Sequence, residues 1–121
     1  MKPLFKWALF LFPSKLRVSP FVQILLESID CPEIFQRVEL GLHEALVNAV
    51  NHGNGGDSSK LLRVRRIITP NWFIWQIHDE GKGIPVNARI GKLPEKLDSN
   101  NGRGLFLIHQ CFDDVRWSDK G

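Results

Sequence analysis

The sequence predicts a two-layer α/β sandwich, on three observations. Helical and strand periodicities follow one another in the order helices, hairpin, long polar stretch, helix, strand. A turn-rich segment, Gly53 to Ser59, separates the helical part from the hairpin. The 121 residues, 43% apolar and 24% charged, suit one soluble domain that buries roughly two-thirds of the surface its unfolded chain would expose.

Trp7 to Phe12 is continuously apolar and predicts a first strand. Lysines ahead of it give a superficial likeness to a secretion signal, but Pro13 ends the run and no small-x-small cleavage site follows. A membrane span needs about 20 apolar residues, so the expected compartment is the cytoplasm. Ser19-Pro20 predicts an N-cap with proline at the first helical position, and Val22, Leu25, Leu26 and Ile29 extend a helix from Pro20 to Ile29. Past Cys31-Pro32, the spacing of Phe35, Val38, Leu42, Leu46, Ala49 and Val50 predicts a long central helix that ends at Gly53. Leu61 to Ile68 and Trp72 to Ile77 predict an antiparallel hairpin around Pro70-Asn71.

From Gly81 to Gly104 no periodicity emerges, and Pro85 and Pro94 interrupt the chain, so a functional lid over 85–101 or a disordered stretch is expected. Leu105 to Phe112 predicts a third helix and Val115 to Trp117 a short final strand. The net charge of +3 is modest. The densest basic run, Arg63 to Arg66, is broken by Val64 and reads as a strand with one solvated face, which makes direct nucleic-acid binding a poor expectation. Cys31 and Cys111 have no metal-ligand spacing; both are expected reduced, with Cys111 a buried thiol in an apolar run.

Chemistry is suggested at three places. On the central helix, Glu44, Asn48 and Asn51 share a face opposite Leu42, Ala45, Leu46 and Ala49. Asn is a mediocre helix former whose amide serves specific hydrogen bonds or oxygen ligation, so Asn48 is a candidate Mg2+ ligand and Glu44 a candidate base. A polar helix face without a ligand is the plain alternative. The second place is the strand end Ile77-His78-Asp79-Glu80-Gly81-Lys82-Gly83-Ile84, where Asp79 could accept a hydrogen bond from an exocyclic amine and the glycines let a base approach the backbone. An ordinary turn would look similar. The third is Asn100-Asn101-Gly102-Arg103-Gly104 ahead of Leu105, a glycine-rich entry to a helix whose amides suit polyphosphate. Neither GxGxxG after a strand nor GxxxxGK[ST] is present.

Taken in order, HEALVNAVNHG (His43 to Gly53), DEGKGIP (Asp79 to Pro85) and NGRGLFLI (Asn101 to Ile108) resemble the N, G1 and G2 boxes of the GHKL, or histidine kinase-like, ATPases. Within that superfamily the sequence looks most like the anti-sigma-factor serine/threonine kinases of bacterial partner-switching systems. The resemblance covers Phe21 to Trp117. It implies a Bergerat-type ATP-binding fold, with a mixed, mostly antiparallel sheet covered on one face by helices, and a single such domain over residues 1–121. It implies ATP and Mg2+ as cofactors, Asn48 as the metal ligand, Glu44 as the catalytic base and Asp79 as the adenine-reading carboxylate. Gly81, Gly83, Ile84, Asn101, Gly102, Gly104 and Leu105 would shape the pocket, Arg103 would meet phosphate or a partner, and Asn51 and His52 would end the N-box helix near the nucleotide. For His52 a structural role at a helix end is preferred to a catalytic one.

The family kinases move the γ-phosphoryl of ATP to a serine of an anti-anti-sigma protein and hold a sigma factor inactive in the alternative state, and members commonly form homodimers. Family domains continue with a Thr-containing apolar strand where this sequence has Ser118 to Gly121, so an open sheet edge is expected. An ATP-binding switch module without phosphotransfer, a sensor histidine kinase catalytic domain and a non-nucleotide interaction domain are the alternatives. The sensor-kinase alternative lacks a segment for a phosphoacceptor helix.

Overall fold

A computed structural model describes residues 6–82, 100–118 and 121, with the backbone alone for 100–103. The elements run β1 (Lys6–Pro13), α1 (Ser19–Leu25), α2 (Pro32–Asn48), a π-helical turn (Ala49–Gly53), β2 (Leu61–Ile68), β3 (Phe73–His78) and α3 (Asn100–Cys111). The expected lid falls on residues 85–99, outside those described, and on the first residues of α3.

The strands form one sheet in the order β1-β2-β3, with both pairings antiparallel. Alternation along the strands decides which face meets the helices. Phe12, Leu62 and Val64 point inward and are buried, and Val18, Val22, Leu25, Leu26, Val38, Leu42, Leu46 and Val50 complete the core beneath them. Each fully buried leucine of this set contributes about 1.5–3 kcal/mol relative to exposure, so this layer carries most of the stabilisation. An α/β fold with helices packed on one face of the sheet is therefore present, as expected. On the opposite face Trp7, Leu9 and Leu11 stand beside Arg63 and Arg65, all exposed, and the Arg65 guanidinium lies 6.0 Å from the Trp7 ring centre.

Four boundaries differ from expectation, each for a local reason. Ser19 is not the N-cap of α1: the Val18 carbonyl accepts the amides of Phe21 (2.9 Å) and Val22 (3.0 Å), which puts Ser19 and Pro20 inside the first turn. The helix stops at Leu25, short of Ile29, because the sheet takes its last carbonyls. Arg66 Nη1 donates to Ile24 O at 3.2 Å and Trp75 Nε1 donates to Leu25 O at 3.2 Å, which offsets the loss of intrahelical partners there. The hairpin turn extends through Trp72, since the Thr69 amide donates to Trp72 O (2.9 Å) and the Thr69 hydroxyl accepts the amides of Asn71 and Trp72. Val115 to Trp117 does not form a strand; it runs without a ladder partner, and the Trp117 ring packs instead against His109 with centres 6.1 Å apart.

The third helix starts at Asn100, so Gly102 and Gly104 lie within it and do not form a loop ahead of it. Glycine costs a helix interior about 1 kcal/mol relative to alanine. Burial of Leu105, Ile108 and Cys111 outweighs that cost. The helix packs antiparallel on α2, and Gly41 makes the close passage possible. A Cβ at Gly41 would lie 2.5 Å from Phe112 Cε2 and 2.7 Å from Cys111 Cβ.

Gly41→Ala is accordingly expected to destabilise the protein by about 1–2 kcal/mol in urea unfolding. Overpacking costs typically 1–3 kcal/mol and the better helix propensity of alanine returns at most about 1. A gain in stability would show that α3 does not pack on α2 at this residue.

Candidate functional site

Three separated segments meet at the C-terminal end of α2. Glu44 and Asn48 lie one turn apart on the helix, and the backbone of Gly104 in α3 rests on both. A Cβ at Gly104 would be 3.2 Å from Asn48 Oδ1, 3.2 Å from Glu44 Oε2 and 3.4 Å from Asn48 Nδ2. The N-box and G2-box residues are thus neighbours, with glycine leaving open the space that a side chain would take.

Asn48 Nδ2 is buried and has no hydrogen-bond partner among the described residues. Leaving such a group unpaired costs about 1–3 kcal/mol, and native proteins leave few of them. A buried N–H donor beside the Gly104 backbone is where an oxygen-rich ligand would restore the missing bonds. The donor set of Asn48 and Glu44 therefore fits a hard cation carried on phosphate, which takes few protein oxygens.

The helix does not continue in α-form beyond Asn48. Ala49–Gly53 is a π-helical turn closed by the Asn54 amide on Ala49 O at 2.8 Å, a widening that is frequent at functional sites. Positive φ at Gly55 (62°) then ends the run, a conformation glycine adopts without steric cost. Asn51 and His52 lie in this wider turn and are exposed.

Asp79 is brought to this turn by Gly53. The Asp79 carboxyl packs so closely on the Gly53 Cα that no side chain fits between them, and Gly81 abuts the Gly53 carbonyl in the same way. Asp79 Oδ1 accepts the Gly81 amide at 2.7 Å, which closes the G1 turn on itself. Gly121 lies along that turn: the Asp79 amide donates to Gly121 O at 3.2 Å, and the Gly121 amide donates to Gly81 O at 3.3 Å.

Burial pushes the Cys111 thiol up from its ordinary value, Arg37 opposes this and the Glu44 charge adds to it. Cys111 is thus a protonated, buried thiol of the α2–α3 contact, as the apolar run predicts, while Cys31 is exposed.

The histidine kinase-like ATPase domain model matches residues 17–121 of the chain. The chain belongs to that ATPase family. Among curated proteins no match was found. Family membership makes this an ATPase or kinase-like regulatory domain, and the convergence of Asn48, Gly104, Gly53 and Asp79 lies where the three boxes meet.

Of the residues expected in the ATPase site, Gly104 lies against both Glu44 and Asn48, and Asp79 and Gly81 lie against Gly53 at the end of the same helix. Leu105 is buried, 8% exposed, in the core side of α3. Asn101, Gly102 and Arg103 are in the first turns of α3. Gly83 and Ile84 lie outside the described residues. Two residues had escaped notice as parts of the site, Gly53 as the seat of Asp79 and Asn54 as a buried amide. Gly53 read only as a helix end and Asn54 as one polar residue in a glycine-rich turn, so nothing local marked either as buried against a distant strand end. No helix of the described residues is long and apolar enough to cross a membrane.

If the Asn48 amide is an unpaired group kept for a ligand, Asn48→Leu stabilises the ligand-free protein by about 1 kcal/mol in urea unfolding, because it removes a buried polar atom while keeping the branched shape of the side chain. A loss of stability would mean that the amide is already satisfied.

Proposed function

We propose that this domain is a Mg-ATP-dependent serine/threonine protein kinase of the anti-sigma-factor type, acting in a bacterial partner-switching system on a serine of an anti-anti-sigma protein. The observation that carries the proposal is the seating of Gly104 on Glu44 and Asn48, with the buried amide of Asn48 left without a partner among the described residues. The sequence resemblance of the three boxes to that kinase group supports the choice of acceptor. In this reading the whole of residues 1–121 is one ATP-binding domain, cytoplasmic and homodimeric, which controls transcription by holding or releasing a sigma factor.

Asn48 would hold Mg2+ through its side-chain oxygen, and the ion supplies charge neutralisation on the β- and γ-phosphates. Asp79 accepts the exocyclic amine of adenine, with Gly81 allowing the base to lie against the backbone. Amides of the glycine-bearing start of α3, at the positive end of its dipole, meet the phosphates. Gly83, Ile84 and Arg103 are proposed contacts on the same ligand, and Asn51 and His52 border it.

The transfer balances simply. The serine oxygen of the partner attacks the γ-phosphorus, the bond from that phosphorus to the β,γ-bridging oxygen breaks, and ADP leaves. Glu44 receives the proton of the serine hydroxyl. Most of the rate enhancement in such a reaction comes from positioning and charge stabilisation, with a general base contributing about 10²–10⁴-fold.

Calorimetry is expected to give Mg-dependent ATP binding in the micromolar range or weaker, and no binding at millimolar Mg-ATP would overturn the proposal. With labelled ATP and a co-encoded anti-anti-sigma protein, the label should appear on a serine of that partner. Glu44→Gln is expected to lower transfer by about 10² or more while sparing ATP affinity. Good ATP binding without transfer to any such partner would instead mark a nucleotide-dependent switch.

A further inference from the structure

Asn54 is a polar side chain only 1% exposed, and every hydrogen-bonding direction of its amide leads to a different part of the fold. Its Nδ2 donates to Ser14 Oγ at 2.9 Å, just past the end of β1, and to Leu61 O at 3.2 Å, at the start of β2. Its Oδ1 accepts the Glu80 amide at 2.7 Å, in the turn that follows β3. Its own backbone amide closes the π-helical turn on Ala49 O at 2.8 Å. One residue thus ties the chain just past both outer strands of the sheet and the first residue of β2 through its side chain, and the end of the N-box helix through its backbone amide.

The Glu80 amide belongs to the peptide group that also carries the Asp79 carbonyl. Peptide groups are planar, so fixing that N–H fixes the plane immediately after Asp79. The Gly81 amide then returns to Asp79 Oδ1, and Gly53 stops the carboxyl from behind. Glu80 adds a second tie of its own, with Oε2 accepting the Leu61 amide at 2.7 Å.

We propose that Asn54 is a positioning residue that sets the orientation of Asp79 toward the nucleotide base through the Glu80 amide. This rests on the reading of Asp79 as the adenine-binding carboxylate. Asn54 touches neither base nor phosphate; it governs selectivity for the base and leaves the phosphate subsite as it was.

A structural role alone would weaken all ligands together, so the test compares Mg-ATP with Mg-tripolyphosphate, which has no base. Asn54→Ala is expected to weaken Mg-ATP binding about tenfold or more while Mg-tripolyphosphate binding stays within about threefold. Asn54→Asp keeps an oxygen acceptor for the Glu80 amide and is expected to retain Mg-ATP affinity within about threefold, even with a lower melting temperature. Hydrogen exchange on the unaltered protein adds a measurement that requires no variant. There the Glu80 amide is expected to be slowed on the order of 100-fold relative to an unprotected amide.

Equal losses for both ligands, an unchanged Mg-ATP affinity in Asn54→Ala, or an unprotected Glu80 amide would each overturn the proposal. If Asp79→Asn weakens Mg-ATP and Asn54→Ala does not, the positioning role alone fails. If the unaltered protein binds no Mg-ATP, the kinase reading fails and this role with it.

Discussion

The passage of α3 across α2 at glycine-to-side-chain distance is the contact on which the site depends. Two positions permit it: Gly41 beneath Cys111 and Phe112, and Gly104 above Glu44 and Asn48. Because the helices run antiparallel, closeness at one contact aligns the other, and the start of α3 is held over the polar face of α2. A side chain at Gly41 would force α3 to shift, and one at Gly104 would press on Glu44 and Asn48. Packing and the polar pair are therefore coupled here, since the glycine that lets α3 approach also sets its backbone on Glu44 and Asn48.

At the other end of the site the constraint is polar. The π-helical turn, the unpaired Asn48 amide and the two glycines of α3 each depart from what would stabilise an isolated helix. Such departures cluster at functional sites and are tolerated where the rest of the fold is well packed. The core of Leu42, Leu46, Val50, Leu62 and Val64, every one at most 1% exposed, provides that excess stability directly beneath them. Asn54 shows the opposite strategy: a buried amide with every partner satisfied, which specifies geometry without leaving a deficit.

Much of the fold was legible locally. The helical spacing of Val38, Leu42, Leu46 and Ala49 and the alternation of Leu62 and Val64 with Arg63 and Arg65 are periodic signals, and the elements they mark exist. The continuous apolar run of β1 gave no period, yet it is a strand because one face, Phe10 and Phe12, meets the helices while Trp7, Leu9 and Leu11 face outward. Boundaries were less legible. The end of α1 depends on Arg66 and Trp75, more than 40 residues away, which donate to its last carbonyls. The segment Val115 to Trp117 has strand-like residues and pairs with no strand among the described residues.

For the site, the sequence by itself determined the residue types and their order: an Asn and a Glu one helical turn apart, an acidic strand end with glycines, and a glycine pair before an apolar helix. Those follow from local periodicity and backbone chemistry, which a chain carries wherever it is placed. Only the tertiary structure decided which of these residues touch. It put Gly104 on Glu44 and Asn48, seated Asp79 on Gly53, left Asn51 and His52 exposed on the widened turn, and buried Asn54 where a loop residue was expected. The physical reason is that contact across 25 to 60 residues is set by helix approach and by the satisfaction of buried polar groups, and neither is encoded in any one segment.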